Sequence, residues 1–111
     1  MPFSKEIMKG SAEFIVLKVL KELGQGYGYQ MIKTIEEVSS DIFKLQESTL
    51  YPLLYRLEDK GIVESEVRKG SNGKNRRYYF LSSKGKKLLN KKNKEMEVYL
   101  KGMNKFLHFS T

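Results

Sequence analysis

Between Gln46 and Val63 the chain reads QESTLYPLLYRLEDKGIV, and the side chains there that could do chemistry are hydroxyls, phenols and a guanidinium. Placed on a helix at about 100° per residue, Leu50, Leu53, Leu54 and Leu57 share one narrow sector. Ser48, Thr49, Pro52, Tyr55, Arg56 and Asp59 fall on the opposite side, with Tyr51 on the flank. A helix that only shields a core turns mixed charges to water. This one turns out groups that hydrogen-bond to base edges and phosphate oxygens. The chemistry is recognition, not bond breaking. Gly61 suits the left-handed residue that closes a helix, and Ile62 can fold back onto the last turn. At the other end Gln46 is a weak N-cap that leaves Pro52 inside the helix, whereas a cap at Ser48 brings Pro52 into the first turn. A helix with an irregular start is expected.

The formal net charge of +8 is confined to one segment. Residues 1–67 hold 8 Lys and Arg against 11 Asp and Glu, and residues 95–111 hold 2 of each. Residues 68–94 hold 11 Lys and Arg and no acid. A solvated face usually mixes both signs. An acid-free block reads instead as a phosphate-binding surface, with a lysine-rich solvated face as the plainer alternative.

Several elements must position these groups. Residues 1–9 form a short lead whose Phe3, Ile7 and Met8 need cover from elsewhere, such as a partner chain. A helix is predicted over Ser11–Leu23 with Phe14, Ile15, Leu17, Val19 and Leu20 on a wide apolar face, stopped by Gly24. GQGYGYQ (24–30) has no preceding strand and lacks phosphate-loop spacing, so it reads as a turn between helices with Tyr27 exposed and able to touch a DNA backbone. A second helix is predicted over 29–38 with Met31, Ile32, Ile35 and Val38 inward, then a short strand over 42–45.

After the central helix, Val63, Ser65 and Val67 alternate with Glu64, Glu66 and Arg68, and RRYYFL (76–81) alternates again. KGSNGKN between them is a flexible hairpin tip. With Lys69, Lys74, Arg76 and Arg77 it reads as a wing able to reach along a phosphate backbone or into a minor groove. A last helix is predicted from Ser82 or Ser83 to about His108. In it Leu89, Met96, Leu100, Met103 and Leu107 are spaced seven, four, three and four apart, as in a coiled-coil seam, with Tyr99 alongside. Dimerisation through this helix is the simplest cover for the stripe, and packing back on its own domain is the alternative. KGKKLLNKKNK (84–94) could also lie on a membrane, but its lysines extend the positive strip of the wing.

The fold expected is mainly α with a small β-hairpin (α+β). It comprises a winged helix-turn-helix DNA-binding domain over 1–81 and a C-terminal dimerisation helix over 82–111. With 111 residues and no Cys, a disulfide scaffold, a cysteine zinc site and a thiol nucleophile are excluded. No apolar run approaches the roughly 18 residues of a membrane span, and the N-terminus lacks the apolar core of a secretion signal, so a cytoplasmic location is expected. One histidine near the end and scattered acids offer no catalytic pair, so no enzyme, metal or cofactor is expected. The rival to DNA binding is a protein-interaction module whose basic strip meets an acidic partner.

GYGYQMIK, STLYPLLYRLEDKGIV, the basic hairpin ending RRYYFL, and LSSKGKKLL together resemble the PadR family of transcriptional regulators over about residues 8–90. The single C-terminal helix is similar to the smaller branch of that family. The resemblance implies a winged-helix homodimer that binds a palindromic DNA operator and usually represses. Carried onto this chain, it places Ser48, Thr49, Tyr51, Pro52 and Tyr55 in or beside the major groove. Lys69, Lys74, Arg76 and Arg77 then fall on the wing, and Tyr27 near a phosphate. Some members bind flat drugs between tryptophans of the dimer interface. This chain has no Trp, and Met96, Tyr99 and Met103 could line an adaptable pocket for a small-molecule effector instead, with plain interface packing as the alternative.

Overall fold

The computed structural model of the protein describes residues 3–8 and 10–110, so Met1, Pro2 and Lys9 of the expected lead and the final Thr111 lie outside the described residues. A single helical turn, α1 (Lys5–Met8), precedes α2 (Ser11–Leu23). The bounds of α2 are those expected, and Gly24 ends it at φ 80°, where its N–H still reaches the Leu20 carbonyl at 2.9 Å. Val16, Leu17 and Leu20 are fully buried, so α2 is the central helix of the core. Phe3 of the lead finds its cover within the chain, against Phe43 at 5.5 Å between ring centroids.

Helix α3 (Gly28–Val38) begins one residue earlier than expected because the Gln30 side chain accepts the Tyr27 N–H at 3.3 Å. Met31 and Ile35 are buried, but Val38 is 79 % exposed, contrary to the inward position its spacing gave it. The chain leaves the core at that point. Ser40 and Asp41 adopt left-handed φ of 51° and 65°, and the Ser39 hydroxyl donates to the Ile35 carbonyl while accepting the Phe43 N–H. The expected strand over 42–45 is absent. That stretch has no neighbouring strand to pair with, and only Leu45 of it is buried.

Helix α4 (Glu47–Asp59) starts from Gln46, not Ser48, and Gln46 makes no side-chain cap. Pro52 therefore lies inside the helix and has no N–H to donate to the carbonyl of Ser48, an exposed residue whose carbonyl water can satisfy. The helix is held by its leucines: Leu50 and Leu54 are 0 % exposed, Leu57 2 % and Leu53 5 %. At the C-terminus Gly61, at φ 73°, sends its N–H to the Glu58 carbonyl, and the Ile62 N–H returns to that of Leu57. This is the paired closure in which a left-handed glycine satisfies the last carbonyls.

Strands β1 (Val63–Lys69) and β2 (Asn75–Leu81) pair antiparallel from Val63↔Leu81 to Lys69↔Asn75. Val63, Tyr79 and Leu81 share the face turned to the core. On its other edge β2 pairs with Gly26, through Gly26 N–H to the Tyr79 carbonyl (2.9 Å) and Tyr79 N–H to the Gly26 carbonyl (2.8 Å). The turn between α2 and α3 thus supplies a further partner for β2.

Helix α5 (Ser83–Leu107) is capped by Ser82, whose hydroxyl accepts the Gly85 N–H at 3.0 Å and lies 2.6 Å from the Gly61 carbonyl. Its first turn passes so close to β1 that a Cβ on Gly85 would fall 2.1 Å from the Ile62 carbonyl oxygen. That atom is backbone and cannot swing aside. Gly85→Ala should therefore cost about 1–3 kcal/mol and lower Tm by about 4–8 °C per kcal/mol. Gly102→Ala, in open space on the same helix, should instead raise stability by about 0.5–1 kcal/mol. Thermal and urea unfolding of both variants would check the contrast.

Candidate nucleic-acid interface

With the leucines of α4 buried, its other side faces out. Ser48, Thr49, Pro52, Tyr55, Arg56 and Asp59 are all exposed, Tyr55 at 55 %. Tyr51, expected on the flank of the helix, stands at the edge of this face. It is half-buried, with its hydroxyl over Gly28 at the start of α3, so close that a Cβ on Gly28 would lie 2.1 Å away. Burial, then the Glu47 carboxylate and Tyr55, raises the Tyr51 phenol above its ordinary pKa, so it stays a neutral donor at physiological pH. The Tyr51 and Tyr55 rings lie 6.3 Å apart, so Tyr51 flanks Tyr55 while anchoring α4 to α3.

Strand alternation separates two arginines that sequence reasoning treated as a pair. Arg77 shares the Tyr79 face of the hairpin, on the side where β1 meets α4. Its Nη1 donates to the Ser65 hydroxyl at 3.0 Å, and that hydroxyl donates to Glu58 Oε2 of α4 at 2.6 Å. The Tyr79 phenol is raised in pKa, first by burial and then by Tyr55 and Glu58, while Arg77 acts the other way. Glu58 and Arg77 thus meet through Ser65, the cross-strand partner of the buried Tyr79.

Arg76 points to the opposite face. Its guanidinium lies 4.4 Å from the centre of the Tyr27 ring. Tyr27 meets Tyr78 edge-on, with centroids 5.5 Å apart and planes at 80°. Arg68 lies over Tyr78 at 5.5 Å, donates to Gln25 at 2.6 Å and pairs with Glu66. Tyr27, expected exposed in a turn, is therefore half-buried, and Arg76 is held against it. Lys69 and Lys74 are exposed at the hairpin tip. The contacts of Ser65 and Glu58 escaped sequence reading, although a serine between Val63 and Val67 on the inward face was a signal that something polar lay opposite. Gln25 and Arg68, 43 residues apart, carried none.

Leu89, expected on the outer seam, is 2 % exposed and packed into the core beside α2 and β2. The early turns of α5 cover the domain, and the uncovered stripe begins later. Met96 is half-buried, and Tyr99, Leu100, Met103 and Leu107 are 60 %, 57 %, 43 % and 75 % exposed. Phe106 and Phe109 are each 75 % exposed beside them.

The contact between Tyr27 and Arg76 ties the hairpin to the α2–α3 turn by side chains as well as backbone. A double-mutant cycle of Tyr27→Leu and Arg76→Met should show a coupling of about 0.5–2 kcal/mol in urea unfolding. Strict additivity would mean that the ring and the guanidinium are merely adjacent.

Residues 16–91 match the transcriptional regulator PadR-like family. The chain is similar to a transcriptional regulator from Clostridium thermocellum, at 32 % identity over 94 % of this chain and 97 % of that one, with a TM-score of 0.81. It is similar to a PadR family transcriptional regulator from Eggerthella lenta DSM 2243 at 30 % identity over 95 % and 88 %, with a TM-score of 0.77. An uncharacterized protein of Lysinibacillus sphaericus is 33 % identical over 81 % of this chain and 82 % of its own length. No helix among the described residues is long and apolar enough to cross a membrane. The basic winged helix-turn-helix and these likenesses agree: the chain belongs to the PadR-like family, whose members are DNA-binding transcriptional regulators and not enzymes.

Proposed function

We propose that the protein acts in the cytoplasm as a homodimeric repressor that occupies a palindromic operator and is released by a small-molecule effector. The observation that carries this reading is the outward face of α4, where Ser48, Thr49, Tyr55 and Arg56 stand on a rod fixed by four buried leucines. A helix set this way can enter a major groove, where hydroxyl and guanidinium groups distinguish base edges. Tyr51 and Pro52 shape the flank of the reading face. Arg77, on the α4 side of the hairpin, and Lys69 and Lys74 at its tip bind flanking phosphates. Arg76 and Tyr27 form a second phosphate contact beside the start of α3.

The exposed stripe from Met96 to Leu107 supports dimerisation, since apolar groups of this size along one helix are costly to leave in water. In this reading residues 1–81 form the DNA-binding unit and residues 82–111 the dimerisation helix, with the first turns of that helix, including Leu89, serving the unit's core. Met96, Tyr99 and Met103 line a cleft of about 730 Å³ with Phe14 of α2, and this is where an effector could wedge between the two copies. Two identical readers related by a two-fold axis require half-sites about one helical turn apart.

Selecting bound fragments from a random DNA pool should return a palindrome with that spacing. A consensus without two-fold symmetry, or no enrichment, would contradict the proposal. On the selected site, affinity should fall by about 0.9 log unit per log unit of salt for each phosphate neutralised. Arg77→Ala and Lys74→Ala should weaken all sequences alike and flatten that slope, whereas Thr49→Ala and Tyr55→Ala should change which bases are preferred.

A further inference from the structure

The apolar seam of α5 does not account for the order of its lysines. Lys84, Lys87, Lys91, Lys94, Lys101 and Lys105 are spaced three, four, three, seven and four apart, and Val98 fills the one vacant step. At about 100° per residue they share one sector of the helix, opposite Leu89, Met96 and Leu100. Leu89 packs toward α2 and β2, so the stripe looks away from the body of the domain. All six lysines are exposed, and none is in an ion pair among the described residues. No Asp or Glu stands in the sector. Of the two acids beside it, Glu95 and Glu97, the second is taken by Asn93 at 2.9 Å. Two costs go with this arrangement. Like charges three and four apart disfavour the helix that carries them. Lys84 also stands in the first turn of α5, at the positive end of the helix dipole, where no acid offsets it. A merely solvated face relieves both costs with interleaved acids.

We propose that the outer face of α5 is a second, sequence-independent surface for double-stranded DNA, separate from the α4 face. From Lys84 to Lys105 the stripe is about 32 Å long at about 1.5 Å per residue, with a cation at nearly every turn. That length matches about nine base pairs of duplex at about 3.4 Å each, a regular rod of negative charge that lysines bind without reading bases. A protein partner fits poorly. Interfaces between proteins are depleted in lysine and built around apolar anchors, whereas Val98 is the one apolar side chain in the sector. A membrane surface fits no better, because the side of α5 that could enter it lies behind the lysines, and Leu89 on that side is buried in the domain. Pairing of two copies through the seam leaves both stripes outward, so a dimer seated on one duplex can hold a second. Duplex binding by α5 is independent of the proposed function, since the stripe and the α4 face share no residue.

Fluorescence anisotropy of a labelled random-sequence duplex, titrated with the full chain at several salt concentrations, provides the test. The triple variant Lys87→Gln, Lys91→Gln, Lys94→Gln should lose about tenfold or more in affinity at low salt, and its slope against log salt should fall by about 2.7, three contacts at about 0.9 each. Its base preference on selected DNA should be that of the wild type. The same three positions changed to Arg should keep the binding, which separates lost charge from a damaged helix. Wild-type affinity and slope in the triple Gln variant would overturn the surface. Tighter binding of duplex RNA, of polyglutamate or of phosphatidylglycerol vesicles than of duplex DNA would overturn the choice of partner. In a second arm, wild-type protein on an immobilised operator duplex should retain the labelled random duplex, and the triple Gln variant should not. Failure of the operator-bound wild type to retain it would refute a separate surface. Failure to select any operator would count against the operator reading and leave the random-duplex titration standing.

Discussion

Four leucines on one side of α4 decide the geometry of the molecule. Leu50, Leu53, Leu54 and Leu57 are each at most 5 % exposed, and removing such side chains from water is worth about 1.5–3 kcal/mol apiece. That burial fixes the rotation of the helix about its axis. A helix rolled by even a third of a turn would expose leucine and bury Arg56 or Asp59 without partners, so the face presenting Thr49 and Tyr55 is set by what lies behind it. The helix needs no strong N-cap for this, and it tolerates Pro52. Packing dominates where local capping is weak.

A second constraint joins the hairpin to the rest. Two backbone hydrogen bonds between Gly26 and Tyr79 turn a two-stranded ribbon, marginal by itself, into the edge of a larger assembly. The ring and guanidinium contacts of Tyr27, Tyr78, Arg76 and Arg68 brace one face of it, and the Arg77–Ser65–Glu58 hydrogen bonds link the other to α4. Arg77 is thereby placed relative to α4 before any ligand arrives, which reduces the side-chain ordering that binding would otherwise impose.

Much of this was legible in the sequence because it depends on local rules. Periodicity and a terminal glycine gave α2 to the residue, and Gly61 followed by Ile62 gave the closure of α4. Alternation on both sides of a glycine-rich tip gave the hairpin. What stayed hidden depends on partners distant in the chain. Tyr27 has the composition of an exposed turn residue, and only the proximity of β2 buries it. Val38 has the right phase but lies past the edge of the core, whereas Leu89 has the phase of a dimer seam and meets α2 first. Tyr51 was legible as a flank residue, but not that the lack of a side chain at Gly28 opens a space for its hydroxyl. The 42–45 segment has strand composition without a partner strand, and β2 pairs on its second edge with Gly26 of the α2–α3 turn.

The central claim is that the outer face of α4 reads bases while the hairpin holds phosphates. Intermolecular NOEs on the complex with a selected duplex test it most directly. The Thr49 methyl and the Tyr55 ring should give NOEs to thymine methyl and cytosine H5 protons in the major groove, with only sugar protons near the side chains of Lys74 and Arg77. Base NOEs arising from another surface, with Thr49 and Tyr55 unperturbed, would contradict it.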